Sequence, residues 1–364
     1  ETEVMTPKEW AKLKSRATLT CYNVTPSGRN SKMCRRVYKG RIYALTWENK
    51  SNTGQVAEQV FKVFLEDELI STFILTCSVF NLLQFIPEKS IIYYSHTKNA
   101  SDVDERIYKT QVLQVDFSCK DPISKVLVEL NEIRYVRLVL YIGMLNTSTI
   151  LVSHANTLMW VSSLQDKSRL PKLPADLTPS VVTPCLSGDY LYGATQTNRY
   201  FKGKLALEFK VYSLRRQAYV ANVSQENREH LHRPLAIKAF ANCVIIRCQT
   251  INSNTQRLVA FDRKLKKPTC IYEFYYSGEC EDLVTSGKDL FCSLVHSTSD
   301  RHKKWLRVWA VVKGEIMHKQ FVLPRSLGCY SSLYGNSCYL GRGKFDIIIK
   351  GTDYSLNKYH LSIS

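Results

Sequence analysis

A short strand phrase, apolar at alternate positions and often aromatic at its centre, recurs along this chain at a spacing that few folds accommodate. It reads VFKVF (60–64), VLQVDF (112–117), LMWVSSL (158–164), LEFKVYSL (207–214), RLVAFD (257–262), LRVWAVV (306–312) and FDIIIKG (345–351). With Val63, Val115, Trp160, Val211, Ala260, Val308 and Ile348 as markers, the steps are 52, 45, 51, 49, 48 and 40 residues, a mean near 47. A second phrase precedes most of these across a polar loop: SIIYYS (90–95), TILVS (149–153), DYLYGA (189–194), CVIIRC (243–248), DLFCSLV (289–295) and SCYLG (337–341). Glycine turns repeat in the same register, since Gly188 and Gly287 are 99 residues apart and Gly287 and Gly335 are 48 apart. Turn chemistry and strand pattern that repeat together mark a repeated supersecondary unit.

Further strand-like stretches follow the markers, at 217–223, 268–276 and 314–323. Four strands in each of seven units of 40–50 residues is the arithmetic of an all-β, seven-bladed β-propeller over residues 36–364. Two β-sandwich domains with evenly spaced strands are the alternative. Residues 1–35 lie outside the repeat. There Thr6-Pro7-Lys8-Glu9 is a capping box with proline at the first helical position, which predicts a short helix through Trp10 and Leu13. The alternating stretch 17–24 could close the ring by pairing with the last blade, or could serve as a linker strand.

The repeat resembles degenerate WD40 or kelch-like propellers. Leu306-Arg307-Val308-Trp309 followed by Gly314 is similar to the third strand and turn of a WD blade, although the Trp-Asp and Gly-His pairs of that family are missing. A short N-terminal helix ahead of a propeller resembles the F-box/WD-type substrate receptors of ubiquitin ligases, without F-box residues. That resemblance implies a surface that reads an acidic or phosphorylated polypeptide, and an adaptor complex formed through the N-terminal region.

Composition narrows the classes. An apolar fraction of 45% can fill a large core, and no apolar run approaches the roughly 20 residues of a membrane-spanning helix. Fifty Lys and Arg against 32 Asp and Glu leave a net charge of +18, which favours an acidic partner. Many of the twelve cysteines sit inside apolar runs and no CxxC occurs, a pattern of free thiols in an intracellular protein. The sequons at Asn23, Asn49, Asn99, Asn146 and Asn222 support an alternative: a secreted propeller, similar to the yellow and royal-jelly proteins, with a small ligand in its central channel. A chain starting at Glu1 is expected to have lost a leader or a preceding module.

No catalytic signature, metal-ligand spacing or cofactor loop is present, so the sequence predicts a non-enzymatic protein with neither metal nor cofactor. His230 and His232 with Glu226 and Glu229 read as a solvated loop. Cys243 and Cys248, five residues apart on one strand, fall on opposite faces. Charge is more informative. The loops that join second to third strands carry Arg199, Lys202 and Lys204, then Arg257, then Arg301, Lys303 and Lys304, and last Arg342 and Lys344. Asp300 opposes them, and Tyr200 adds an aromatic. These ten residues are the candidate partner-binding set, because arginine beside aromatic neighbours suits phosphate or carboxylate. The 96–106 loop carries Asp102, Asp104 and Glu105 and should mark an acidic sector. A further basic run, Arg29 to Arg41, reads as a solvated linker, with binding of nucleic acid or membrane phosphate as the alternative. Aromatics are not interleaved with these bases, which argues against nucleic acid.

Overall fold

The computed structural model describes residues 6–24, 31–50, 57–77, 79–99, 107–119, 121–133, 137–177, 183–201, 204–226, 231–240, 243–250, 255–262, 268–275, 284–285, 290–296, 300, 302–313, 315–328, 332–334, 338–341 and 344–363. Its one described α-helix, α1 (Pro7–Arg16), begins at the expected cap. The Glu9 carboxylate accepts the Thr6 N–H at 2.8 Å, and the Thr6 hydroxyl accepts the Glu9 N–H at 3.2 Å. Ten residues are too few for a stable isolated helix, so docking must hold it. Trp10 and Leu13 are buried against β-sheet, and Lys319 Nζ donates to the terminal carbonyls of Leu13 (3.2 Å) and Lys14 (2.8 Å). The helix runs directly into β1 (Ala17–Val24).

Strands then follow in antiparallel meanders. The first sheet holds β2 (Lys32–Tyr38), β3 (Arg41–Asn49), β4 (Ala57–Leu65) and β5 (Glu68–Cys77). The second holds β6 (Val79–Ile86), β7 (Ile91–Asn99), β8 (Ile107–Asp116) and β9 (Ile123–Ile133), and the third β10 (Leu140–Asn146), β11 (Thr149–His154) and β12 (Thr157–Ser162). The fourth comprises β13 (Thr183–Ser187), β14 (Tyr190–Phe201), β15 (Lys204–Ser213) and β16 (Ala218–Glu226), and the fifth β17 (Leu231–Ala239), β18 (Cys243–Thr250), β19 (Thr255–Asp262) and β20 (Pro268–Tyr275). The sixth comprises β21 (Val284–Thr285), β22 (Leu290–His296), β23 (Lys304–Val312) and β24 (Glu315–Val322). In the seventh, β25 (Ser332–Leu333) and β26 (Cys338–Gly341) share one edge of β27 (Lys344–Lys350), β28 (Leu356–Ile363) lies on its other side, and β1 pairs outside β28 over eight residues. The boundary expected between residues 35 and 36 falls inside β2. Two-residue hairpins with both positions at positive φ, such as Lys39-Gly40 and Ala155-Asn156, set strand register.

Two compact units divide the chain. One contains residues 28–179 with 186–189, the other residues 1–27, 180–185 and 190–364. In the first unit, Leu45, Phe61, Val63 and Phe73 of the first sheet pack on Phe85, Tyr94 and Val115 of the second. The second sheet turns Tyr93 and Val112 the other way, onto Ile150, Val152 and Val161 of the third. In the other unit, Tyr192, Phe209 and Val211 of the fourth sheet meet Val244, Ile246, Cys248 and Phe261 of the fifth. The fifth sheet's opposite face, with Cys243, Ile245 and Ala260, meets Trp309, Val311 and Ile316 of the sixth. Leu306, Val308 and Ala310 then cover Phe345, Ile347 and Ile349 of the seventh, and the helix completes that cluster. Both parities are buried along β11 and most of β27, where Ile150–Val152 and Ile347–Ile349 are consecutive apolar residues. Cys243 and Cys248 lie on opposite faces, as their spacing requires.

Candidate functional site

In an up-and-down four-stranded sheet, the second-to-third connection opens at the same end as the chain's exit to the next sheet. Register places that end in the fourth to sixth sheets. Ala206 opposite Glu226 puts the end of β16 beside the β14–β15 hairpin, and Leu231 opposite Thr250 starts β17 beside the β18–β19 hairpin. Residues 227–230 join them and span at most about 18 Å. At the far end, Phe240 and Cys243 of the fifth sheet share a cluster with Val311 and Ile316 of the sixth, so those sheets run in the same sense. The β14–β15, β18–β19 and β22–β23 connections therefore open at one end.

Arg199 and Tyr200 lie in β14 where pairing jumps from Thr197–Ala206 to Phe201–Lys204, a break in register. Lys204 opens β15, and Arg257 lies in β19 beside Cys248. Lys202, Arg301 and Arg342 fall outside the described residues, as do Asp102, Asp104 and Glu105. Lys303 is exposed, with Nζ 5.5 Å from the centre of the Trp305 ring.

Two expectations are corrected. Lys304 is 1% exposed, because it opens β23 with its side chain inside the unit, and it offers no surface charge. Lys344, at the start of β27, belongs at the other end. The Leu323 N–H donates to Lys304 O at 3.0 Å, and the helical turn Arg325–Leu327 follows. The Leu327 carbonyl then accepts the Thr352 N–H at 3.0 Å, so the β27–β28 turn sits beside the β22–β23 connection. Gly328, at φ 76°, permits this approach, since a Cβ there would overlap Thr352. The β26–β27 turn lies a strand length away, about 20 Å over seven residues. The cause is that β25 and β26 occupy a single position in the sheet, so that turn joins an edge strand to its neighbour rather than two central strands.

The structure adds partners that loop order concealed. Asp300 is paired with Arg325 at 2.8 Å, so it does not cancel the neighbouring bases. Lys350 Nζ lies 5.0 Å from the Tyr334 ring and 5.3 Å from that of Tyr354, and burial lowers its pKa. Asp353 is held anionic, below the usual carboxylate range, by hydrogen bonds from the Ser355 hydroxyl (2.6 Å) and N–H (3.1 Å). Arg325 and Lys350 lie in an inter-sheet link and at a strand end, places where loop charge alone gives no signal. The run from Arg29 to Arg41 is no linker within its described part. Arg35 is buried, Arg36 donates to Phe85 O at 2.9 Å, and Arg41 faces Glu66 at 3.8 Å. Among the described residues no group of three or more His, Cys, Asp or Glu is placed to hold a metal, and no helix is long and apolar enough to cross a membrane.

No protein-family model matches the chain, and no curated protein matches it in sequence. Solved structures do. The chain is similar to a structure from a study of two prolyl endopeptidases, at TM-score 0.53 and 12% identity over 89% of this chain and 47% of that one. It is also similar to the β-propeller domain of the trilobed protease from Pyrococcus furiosus (TM-score 0.46, 8% identity, 89% and 93% covered). The WD40 domain of SCAP from fission yeast gives TM-score 0.45 at 8% identity, with 95% and 98% covered. At such identities the likeness is one of fold.

Proposed function

We propose that this chain is a non-enzymatic, intracellular interaction module, a seven-bladed β-propeller that captures an acidic or phosphorylated polypeptide. Seven antiparallel sheets, packed face to face within each unit and finished by an N-terminal strand on the last sheet, support the propeller. The observation that carries the function is the convergence of three consecutive sheets on one end through basic connections. The reading surface takes Arg199, Tyr200, Lys204, Arg257 and Lys303 at that end, together with Lys202 and Arg301, which lie outside the described residues. The F-box/WD-type receptors give a working analogy, in which the helical N-terminus would adjoin an adaptor.

The test is fluorescence anisotropy with an acidic phosphothreonine peptide and its unphosphorylated counterpart. A charge-assisted hydrogen bond contributes about 1.5–3 kcal/mol, so combined Arg199→Gln, Arg257→Gln and Arg301→Gln should weaken phosphopeptide binding at least about tenfold. Arg342→Gln should leave it unchanged. Unaltered binding by the triple variant would overturn the proposal.

A further inference from the structure

The meander that gathers one set of connections at one end sends the others to the opposite end, and that end has its own chemistry. The β15–β16 turn presents Arg215 and Arg216, the β23–β24 turn Lys313, and the start of β27 Lys344, all exposed. The acids there among the described residues are Asp189, exposed in the β13–β14 turn beside Tyr190, and Asp262 and Glu315 at adjoining strand ends. Two exposed aromatics join them. Tyr219 (40% exposed) follows the β15–β16 turn, and Tyr190 (38% exposed) stands opposite Ser213 at the start of the same turn. The Tyr219 ring is braced edge-on against Tyr212 at 5.3 Å, and Lys210 Nζ lies 5.8 Å from its centre.

We infer that this end of the unit binds single-stranded nucleic acid, with phosphates on Arg215, Arg216, Lys313 and Lys344 and bases against Tyr219 and Tyr190. The bases are spread over the fourth, sixth and seventh sheets. At about 10 Å between packed sheets, the surface spans roughly 30 Å, which fits a polymer rather than a single anion. Exposed, braced tyrosine rings beside arginine are the stacking platforms that an acidic peptide does not need. Tyr212 and Tyr219 flank Arg215 and Arg216 in the chain, and strand pairing sets Tyr219 and Tyr190 on opposite faces of the fourth sheet, one on each side of that turn. The surface is separate from the proposed peptide-reading end.

Anisotropy of a labelled oligothymidine of about 20 nucleotides tests the inference. Four phosphate contacts predict that the logarithm of affinity falls with the logarithm of salt at a slope near −3 between about 50 and 200 mM. The variant Arg215→Gln, Arg216→Gln, Lys313→Gln, Lys344→Gln should lose at least about tenfold and flatten the slope. Tyr219→Ala should weaken binding roughly tenfold with the slope preserved. Both variants should keep the wild-type melting temperature and phosphopeptide binding, while Arg257→Gln should not alter oligonucleotide binding. Equal binding by the quadruple variant, or absence of binding at low salt, would overturn the inference. So would unchanged binding by Tyr219→Ala together with displacement of the oligonucleotide by polyglutamate of equal charge, which would identify an acidic polypeptide as the occupant.

Discussion

Leu13→Ala is the most direct probe of how the N-terminal helix is held. Leu13 is fully buried in the cluster shared by the sixth and seventh sheets, with Leu306, Val308, Ile347 and Leu361 among its members. Truncating a fully buried leucine costs about 2–5 kcal/mol, of which the lost transfer energy is only part and the remaining cavity supplies the rest. A ten-residue helix has little stability of its own, so nothing in α1 offsets the loss. The expected destabilisation is about 3 kcal/mol, read from urea unfolding followed by tryptophan fluorescence, which includes Trp10. Exposed Lys12→Ala should stay within about 0.5 kcal/mol of wild type. Lys319→Met removes the donor to the Leu13 and Lys14 carbonyls and should cost about 1–2 kcal/mol. A Leu13→Ala protein as stable as Lys12→Ala would refute docking and would release the N-terminal segment to act as an independent arm.

Three other outcomes follow from the packing and the titrating groups. Phe209→Ala removes a ring stacked on Phe261 at 4.4 Å between the fourth and fifth sheets, and should cost about 3–5 kcal/mol in urea unfolding, whereas Phe209→Leu should cost much less. Burial pushes the Cys248 thiol up to about 12, so a maleimide should label exposed Cys119 in the native protein and reach Cys248 only after denaturation, as peptide mass mapping would show. Burial, then Arg307 and Lys14, lower the His318 pKa below its usual value. The unfolded chain therefore binds the proton first as pH falls below about 6.5, so stability should drop there more steeply in wild type than in His318→Gln.

The periodicity of strand phrases was legible because apolar residues alternate with polar ones and pack on the neighbouring sheet, as Phe61 and Val63 of β4 are buried on either side of partly exposed Lys62. The helix was legible from its cap, which is local chemistry. The failures share a cause. Lys304 belongs to a charged run in the chain, yet it is the first residue of β23 and its side chain turns inward. Lys344 belongs to a repeat whose sequence resembles the others, but β25 and β26 together fill one position in the seventh sheet. That shift of one strand inverts the end at which the turn opens. No residue near 342 signals the inversion. It is set by the distant pairing of β1 with β28, which fills the fourth position from the other end of the chain.

Strand length also decides whether the two charged ends can act on one another. β23 runs nine residues from Lys304 to Val312, about 26 Å between the peptide-reading connections and the turn at Lys313. The screening length at physiological salt is about 8 Å, so charge placed at one end is screened from the other. No rigid small anion reaches both, and a bound polypeptide leaves the opposite turns open. Substitutions at Arg257 and at Arg215 should therefore combine additively, within about 0.5 kcal/mol, in any assay of either ligand. Coupling larger than that would mean that ligands reorganise the sheets between the two ends, a transmission that the closely packed faces of the fourth to seventh sheets oppose.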